Sequence, residues 1–170
     1  KDTVRAILML AMMVPFVAVL VPLFQMFTKA KLINSWAGFI MPSIATPFLI
    51  MYFRNSARSF PRDTLEAARI DGLNEFQIFI RMFIPMMKPT YASAATITFM
   101  NAWNAYLWPK VIMQTNEAIT MPMLVANTMG GYVIDYGVVM AAVTICSLPT
   151  VIIFFCLQKS FTNAVAGAVK

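Results

Sequence analysis

Marking the charged positions divides the chain into long apolar runs and one polar interval. Four runs carry no charge: residues 6–28, 32–53, 89–109 and 136–158, of 23, 22, 21 and 23 residues. Each reaches the roughly 20 residues that a helix needs to cross about 30 Å of hydrocarbon. A helix is required there because no water is available to satisfy backbone N–H and C=O groups. The pattern therefore predicts an all-α integral membrane fold with four transmembrane helices in a single domain over 1–170. A loop at 54–88 joins the second and third spans, and another at 110–135 joins the third and fourth. Run 6–28 is too long for a signal-peptide core, contains Pro15 and Pro22, and is followed by no small-residue cleavage site. Pro42, Pro47 and Pro149 also fall inside runs, which fits either bent helices packed around a pathway or the ordinary proline content of membrane helices.

The interval 54–88 has its own pattern. Pro61 suits the first turn of a helix, and Asp63-Thr64-Leu65-Glu66 has the spacing of a capping box. Leu65, Ala68 and Gly72 share a face at i, i+3 and i+7, and Asp71-Gly72 is a turn signal with Gly72 suited to a left-handed residue after a helix. Asn74 opens a second helix with Gln77 as its reciprocal cap. Phe76, Phe79, Ile80, Phe83 and Ile84 follow as an amphipathic stripe, before Pro85 and Pro89 turn the chain into the third run. The interval thus reads as a short, charged, Ala-rich helix followed by an amphipathic one. A plain surface hairpin is the simple alternative to a docking surface for a protein partner.

Composition narrows the class. The chain is 60% hydrophobic and 12% charged, with a mean hydropathy of +0.73, which excludes both an ordinary soluble domain and a disordered chain. There is no His, the commonest metal ligand and general base. Cys146 and Cys156 both lie in an apolar run and suit neither a disulfide framework nor a zinc site. The abundant Met residues lack thiolate or imidazole companions, so they read as adaptable packing rather than a soft-metal site.

Lys and Arg set the orientation. Of 13 basic residues, ten fall in the two terminal segments and the 54–88 loop, and only Lys29, Lys31 and Lys110 fall on the other side. The termini and the 54–88 loop are therefore expected in the cytoplasm. The net charge of +6 follows from this bias. The basic residues form no single patch, so no nucleic-acid partner is expected.

Glu66-Ala67-Ala68, then Gly72, Met82 and Ile84-Pro85, resembles the EAA loop of the permease subunits of binding-protein-dependent ABC importers: E-A-A, three residues, G, nine residues, I, x, L, P. Met82 and Ile84 depart from that pattern but keep apolar side chains of similar size. The string 66–72 is closest to the carbohydrate, maltose-permease-like branch. MVP at 13–15, VPLF at 21–24, Leu32-Ile33-Asn34, MP at 41–42 and AGAVK at 166–170 extend the likeness along the chain. Such permeases usually have six spans. Together with Lys1 in place of an initiator Met, this implies that the chain is the C-terminal four-helix part of a longer subunit.

The resemblance implies a type I importer core in the cytoplasmic (inner) membrane. Its partners would be two ATPase subunits, a second permease subunit, identical or homologous, and an extracytoplasmic solute-binding protein that meets the 110–135 side. This chain itself would bind no cofactor. It has no Gly-rich phosphate loop with Lys, so ATP and Mg belong to the partner ATPases, and the chain is expected to be a transport subunit rather than an enzyme. Leu65, Glu66, Ala67, Ala68, Arg69, Asp71 and Gly72 would form the coupling segment: alanines for close packing, Glu66 and Arg69 for charged contacts, Gly72 to end the helix and set its angle. The solute would be a sugar or oligosaccharide; a non-sugar solute, or a structural subunit with no transport role, is the alternative.

A pathway can be sketched on the third run, where Asn101, Asn104 and Trp108 are expected on one helical face. Amides and an indole suit sugar hydroxyls and ring faces. Interhelical hydrogen bonding for the asparagines, and an interfacial belt for Trp103, Tyr106 and Trp108, are the simpler roles. In the last run Thr144, Cys146 and Ser147 precede Pro149 and would cover carbonyls that the proline frees. No run contains an ionisable Asp, Glu, Lys, Arg or His, which disfavours an intramembrane enzyme and a proton-driven carrier alike.

Overall fold

Proline decides where the first apolar run bends. The computed structural model describes residues 2–115, 118–131 and 134–167, with side chains described as far as residue 156. Within it, run 6–28 is divided between α1 (Asp2–Met13) and α2 (Phe16–Lys29), whose axes meet at 98°. Pro15 has no N–H to continue α1, and the residue before a proline is pushed out of helical geometry. Pro15 instead sits in extended backbone as the N-cap of α2. Counting charges could not place this elbow; of the two readings of the span prolines, the bent helix is the one found at Pro15.

The second run contains α3 (Trp36–Ile44) and α4 (Pro47–Arg58). Ser35 caps α3 through a bond from the Gly38 N–H at 3.0 Å. Thr46 caps α4, with Pro47 at its first turn. The stretch Trp36–Arg58 is long and apolar enough to cross a membrane. After α5 (Arg62–Ile70), the chain forms α6 (Glu75–Ile78), a π-helical turn (Phe79–Phe83) and α7 (Ile84–Met86).

The third run is also broken. Helix α8 (Lys88–Trp103) ends at Asn104, and a separate short α9 (Leu107–Ile112) follows. Sixteen residues rise only about 24 Å, short of the hydrocarbon thickness. Beyond it lie α10 (Met121–Thr128), opened by Thr120 with Pro122 in its first turn, and α11 (Tyr136–Gly167). Tyr136–Cys156 is the second stretch able to cross a membrane by length and composition. Among the described residues there are thus two such helices, or three if the α1–α2 pair forms one span, against the four expected. All described elements are helical.

Helix α8 packs along α11, α1 against α4, and α10 against α11. The Trp103 indole donates to the Cys146 carbonyl at 2.9 Å and ties α8 to α11. Thr144 and Ser147 bond back to carbonyls of their own helix, those of Met140 and Thr144. A tight core forms where α2, α3 and α9 meet. Trp108, Ile112 and Met113 are buried there against Leu20, Leu23, Phe27 and Phe39. The Trp108 N–H donates to the Gly38 carbonyl at 3.2 Å, and Phe27 meets the indole edge-on at 5.4 Å. Gly38 cannot carry a side chain, because a Cβ there would collide with the Leu32 carbonyl.

Candidate functional site

The 54–88 interval forms a helical hairpin whose turn is held by backbone geometry. Helix α5 starts at Arg62, one residue after Pro61. Asp63 lies within its first turn, where a carboxylate complements the helix dipole. The 63–66 capping box expected from spacing does not form, because the helix begins before Asp63 and Pro61 holds the cap position without a side-chain bond.

The far end closes as a Schellman turn. The Gly72 N–H bonds the Arg69 carbonyl at 3.1 Å and the Leu73 N–H bonds the Ala68 carbonyl at 3.1 Å. Gly72 has φ +81°, a conformation that costs side-chain-bearing residues free energy. Asn74 then caps α6 in a full capping box: its side chain accepts from the Gln77 N–H at 2.8 Å, and Gln77 accepts from the Asn74 N–H at 3.0 Å. Gly72 and the Asn74–Gln77 pair thus stand as the spacing predicts.

Arg69 reaches across this turn to Glu75, Nε to Oε1, at 2.8 Å. The hydrogen bond to Glu75, reinforced by the charge of that carboxylate, raises the guanidinium above its ordinary value. A raised value means that the bond is fully present below the usual arginine range and weakens only above it. Both side chains are exposed, so the pair adds little to stability. It spans the turn between α5 and α6, whose geometry is set by the Gly72 and Leu73 backbone bonds and the Asn74–Gln77 cap.

The residues expected to form the coupling segment divide between two faces. Ala68 is 1% exposed and packs inside the hairpin, so its methyl is already covered by this chain. Leu65 is half-buried, while Glu66, Ala67, Asp71 and Gly72 are exposed. Arg62, Leu65, Glu66 and Arg69 line a hollow of about 260 Å³ along one side of α5. Ile70 is 85% exposed and was not singled out by the sequence. It lies two positions beyond Ala68, on the opposite side of the helix, and an apolar side chain so placed in a charged helix was the available signal.

The amphipathic stripe is less covered than its periodicity implies. Phe76, Phe79 and Ile80 are exposed and Ile78 is buried. The π turn shifts the register by one residue, and Phe83 packs on Phe60 at 5.2 Å. The three residues proposed for the third run do not share a face. Asn101 is exposed near the end of α8. Asn104 terminates that helix and donates to the Met100 carbonyl at 2.8 Å. Trp108 lies on α9, turned into the core beside Phe16 and Phe27. The break at residues 104–106 separates them, and Trp108 is 7% exposed. Glu117 and the positively charged tail at 159–170, with its AGAVK end, lie outside the residues whose side chains are described.

A sequence profile of the family described as binding-protein-dependent transport system inner membrane component matches residues 1–167. The chain belongs to that family. It is similar to the lactose transport system permease protein LacG of Rhizobium radiobacter, at 39% identity over 100% of this chain and 62% of LacG. It is similar to the arabinooligosaccharides transport system permease protein AraQ of Bacillus subtilis (strain 168), at 33% identity over 100% of this chain and 61% of AraQ. Its fold matches a chain in the crystal structure of a bacterial ABC transporter involved in the import of the acidic polysaccharide alginate. There the TM-score is 0.79 at 24% identity, covering 94% of this chain and 61% of that one. This family member therefore spans about three-fifths of the length of these relatives, and its helical arrangement is that of the matched chain of the alginate transporter.

Proposed function

We propose that this chain is part of the permease subunit of an ATP-driven importer that carries a sugar or oligosaccharide across the cytoplasmic membrane. Solute is delivered by an extracytoplasmic binding protein. A second permease subunit completes the passage, and two separate ATPase subunits hold the ATP and Mg. The relatives described as lactose and arabinooligosaccharide permeases support the solute class. The Lys/Arg bias supports a cytoplasmic location for the α5 hairpin and the chain termini.

The observation that carries the coupling role is the α5 hairpin itself. It is a nine-residue helix closed by a Schellman turn at one end and locked to a capped helix beyond, with Glu66, Ala67, Ile70 and Asp71 on its open side. A lever must be stiff, because a soft one absorbs displacement instead of passing it on. In this reading Ala67 permits close approach, Ile70 inserts into an apolar cleft of the ATPase, and Glu66 and Asp71 orient the contact. Leu65, Ala68, Arg69 and Gly72 keep the lever rigid from within.

The test places a single cysteine at Ala67 after Cys146 and Cys156 are changed to Ser. In membranes containing the assembled transporter, Ala67→Cys should cross-link to the ATPase, with a yield that changes on ATP addition. A membrane-impermeant thiol reagent applied from outside should leave it unmodified. Modification from outside, or no adduct with an ATPase, overturns the proposal.

A further inference from the structure

Between the capped helix α6 and helix α8 the backbone leaves α geometry twice. Over Phe79–Phe83 it forms a π turn, in which the Ile84 N–H reaches five residues back to the Phe79 carbonyl. At Met87 (φ −86°, ψ +8°) the helix stops, and α8 begins at Lys88. Pro85 supplies a reason for the first departure. It has no N–H, and in an α-helix its ring would meet the Arg81 carbonyl, so the ladder gives way just ahead of it. The two flanks are firmly seated. The capping box holds α6, and the Ser93 hydroxyl donates to the Pro89 carbonyl at 3.0 Å within the first turns of α8. Ile78 and Met87 are 3% and 6% exposed, against 48% and 45% for Phe79 and Ile80 in the turn between them. Phe83 rests on Phe60 at 5.2 Å, and Phe79 stacks on Phe83 at 5.7 Å. Such ring contacts carry no directional bond, so a rotation slides across them without unpairing a polar group.

From this arrangement we infer that Phe79–Phe83 is a joint, the place where displacement of the hairpin becomes rotation relative to α8. The inference rests on the coupling role proposed for α5. A π turn holds one residue more than the α turn it replaces. If the Ile84 N–H passes from the Phe79 carbonyl to that of Ile80, the turn returns to α geometry. The chain before it then rotates by one residue, about 100°, against the chain after it. Ile84 exchanges one acceptor for another, so its N–H stays paired throughout. The Pro85 ring opposes the tighter form, which biases the turn toward the wide one and makes the tighter one depend on an applied displacement. With α6 capped, Met87 buried and the turn between them open, movement imposed at α5 collects in the turn.

The experiment uses the complete transporter in nanodiscs, with Cys146 and Cys156 changed to Ser and spin labels at exposed positions. The pair Phe76→Cys with Ala95→Cys spans the joint, and the pair Asp63→Cys with Phe76→Cys spans the hairpin alone. Between the nucleotide-free state and one held by a non-hydrolysable ATP analogue, the first separation should shift by several ångströms and the second should stay constant. A further variant straightens the turn by deleting Arg81, the surplus residue, together with Pro85→Ala. It should hold the first separation constant and lower the solute carried per ATP several-fold, while hydrolysis and the Ala67→Cys cross-link persist. A Phe76–Ala95 separation indifferent to nucleotide, with the cross-link still formed, overturns the joint and leaves the coupling role standing. A hairpin pair that shifts as much as the joint pair does the same, as does a straightened variant that couples at the wild-type ratio. Absence of the cross-link overturns the coupling role itself. If the straightened chain does not assemble, the label separations in the full-length turn decide.

Discussion

Replacing Gly72 isolates the conformational part of the proposed lever from its contacts. A Cβ built at Gly72 meets nothing within 4 Å of this chain, so an alanine there introduces no clash inside the subunit. What it introduces is a left-handed residue with a side chain at φ +81°, at a cost of about 1–2 kcal/mol. That cost falls on the two bonds closing the turn, from Gly72 N–H to Arg69 and from Leu73 N–H to Ala68. It shifts the ratio of closed to frayed turn by about 5–30-fold. A β-branched residue tolerates positive φ less well than alanine, and asparagine tolerates it better. The series Gly, Asn, Ala, Val at position 72 should therefore show a graded fall in solute carried per ATP hydrolysed, measured in proteoliposomes at equal subunit stoichiometry. Hydrolysis itself should persist, because in the proposed assembly it occurs on a separate ATPase subunit. A Gly72→Val transporter with the wild-type ratio, or a series in which all three substitutions behave alike, refutes the argument from backbone geometry.

Other outcomes follow from the same structure. Gly38→Ala should destabilise the folded chain by about 1–3 kcal/mol, because the new methyl collides with the Leu32 carbonyl; thermal unfolding in detergent reads this, and an unchanged midpoint would show that the α2–α3 connection yields freely. Trp108→Phe should cost about 1–3 kcal/mol by leaving the Gly38 carbonyl without its donor, and Trp108→Ala about 3–5 kcal/mol, with unfolding midpoints falling in that order. Asn74→Ala removes the capping box at about 1 kcal/mol; hydrogen exchange at residues 75–78 should quicken several-fold, and unchanged exchange would mean that the cap does not hold α6. Asn104→Ala should leave uptake at the wild-type level if the Asn104 amide serves only to close α8 through its bond to the Met100 carbonyl, and a large loss of uptake with normal expression would return Asn104 to the pathway through its free carbonyl oxygen and second N–H.

What could be read from the sequence was local. Gly72 and the Asn74–Gln77 pair were legible because a cap is decided within three or four residues, and the side chains involved have few other uses. The breaks were not legible, because a charge-free run specifies what can enter lipid and says nothing about the direction of the helix axis. Pro15 and Asn104 both divide runs that pass any composition test. Misplacing the second break also misplaced Trp108, since three residues read as one face lie on two helices. Gly38 was invisible for another reason: its requirement comes from the Leu32 carbonyl and the Trp108 indole, and the latter is 70 residues away. The failed 63–66 cap shows the limit of spacing, since Pro61 started the helix before the expected cap residue.

The indole bond from Trp103 to the Cys146 carbonyl bears on how displacement spreads from the hairpin. A side chain that grips another helix by its main chain does so wherever that helix goes, whichever residues line its surface. Helices α8 and α11, packed along each other, are pinned at this point like two planks with a dowel, and α7 joins the first plank through a turn at Met87. A push delivered at the hairpin would swing both together against the Trp108 knot, so a pair of spin labels spanning the dowel should keep their separation throughout a transport cycle, while a pair bridging plank and knot should not.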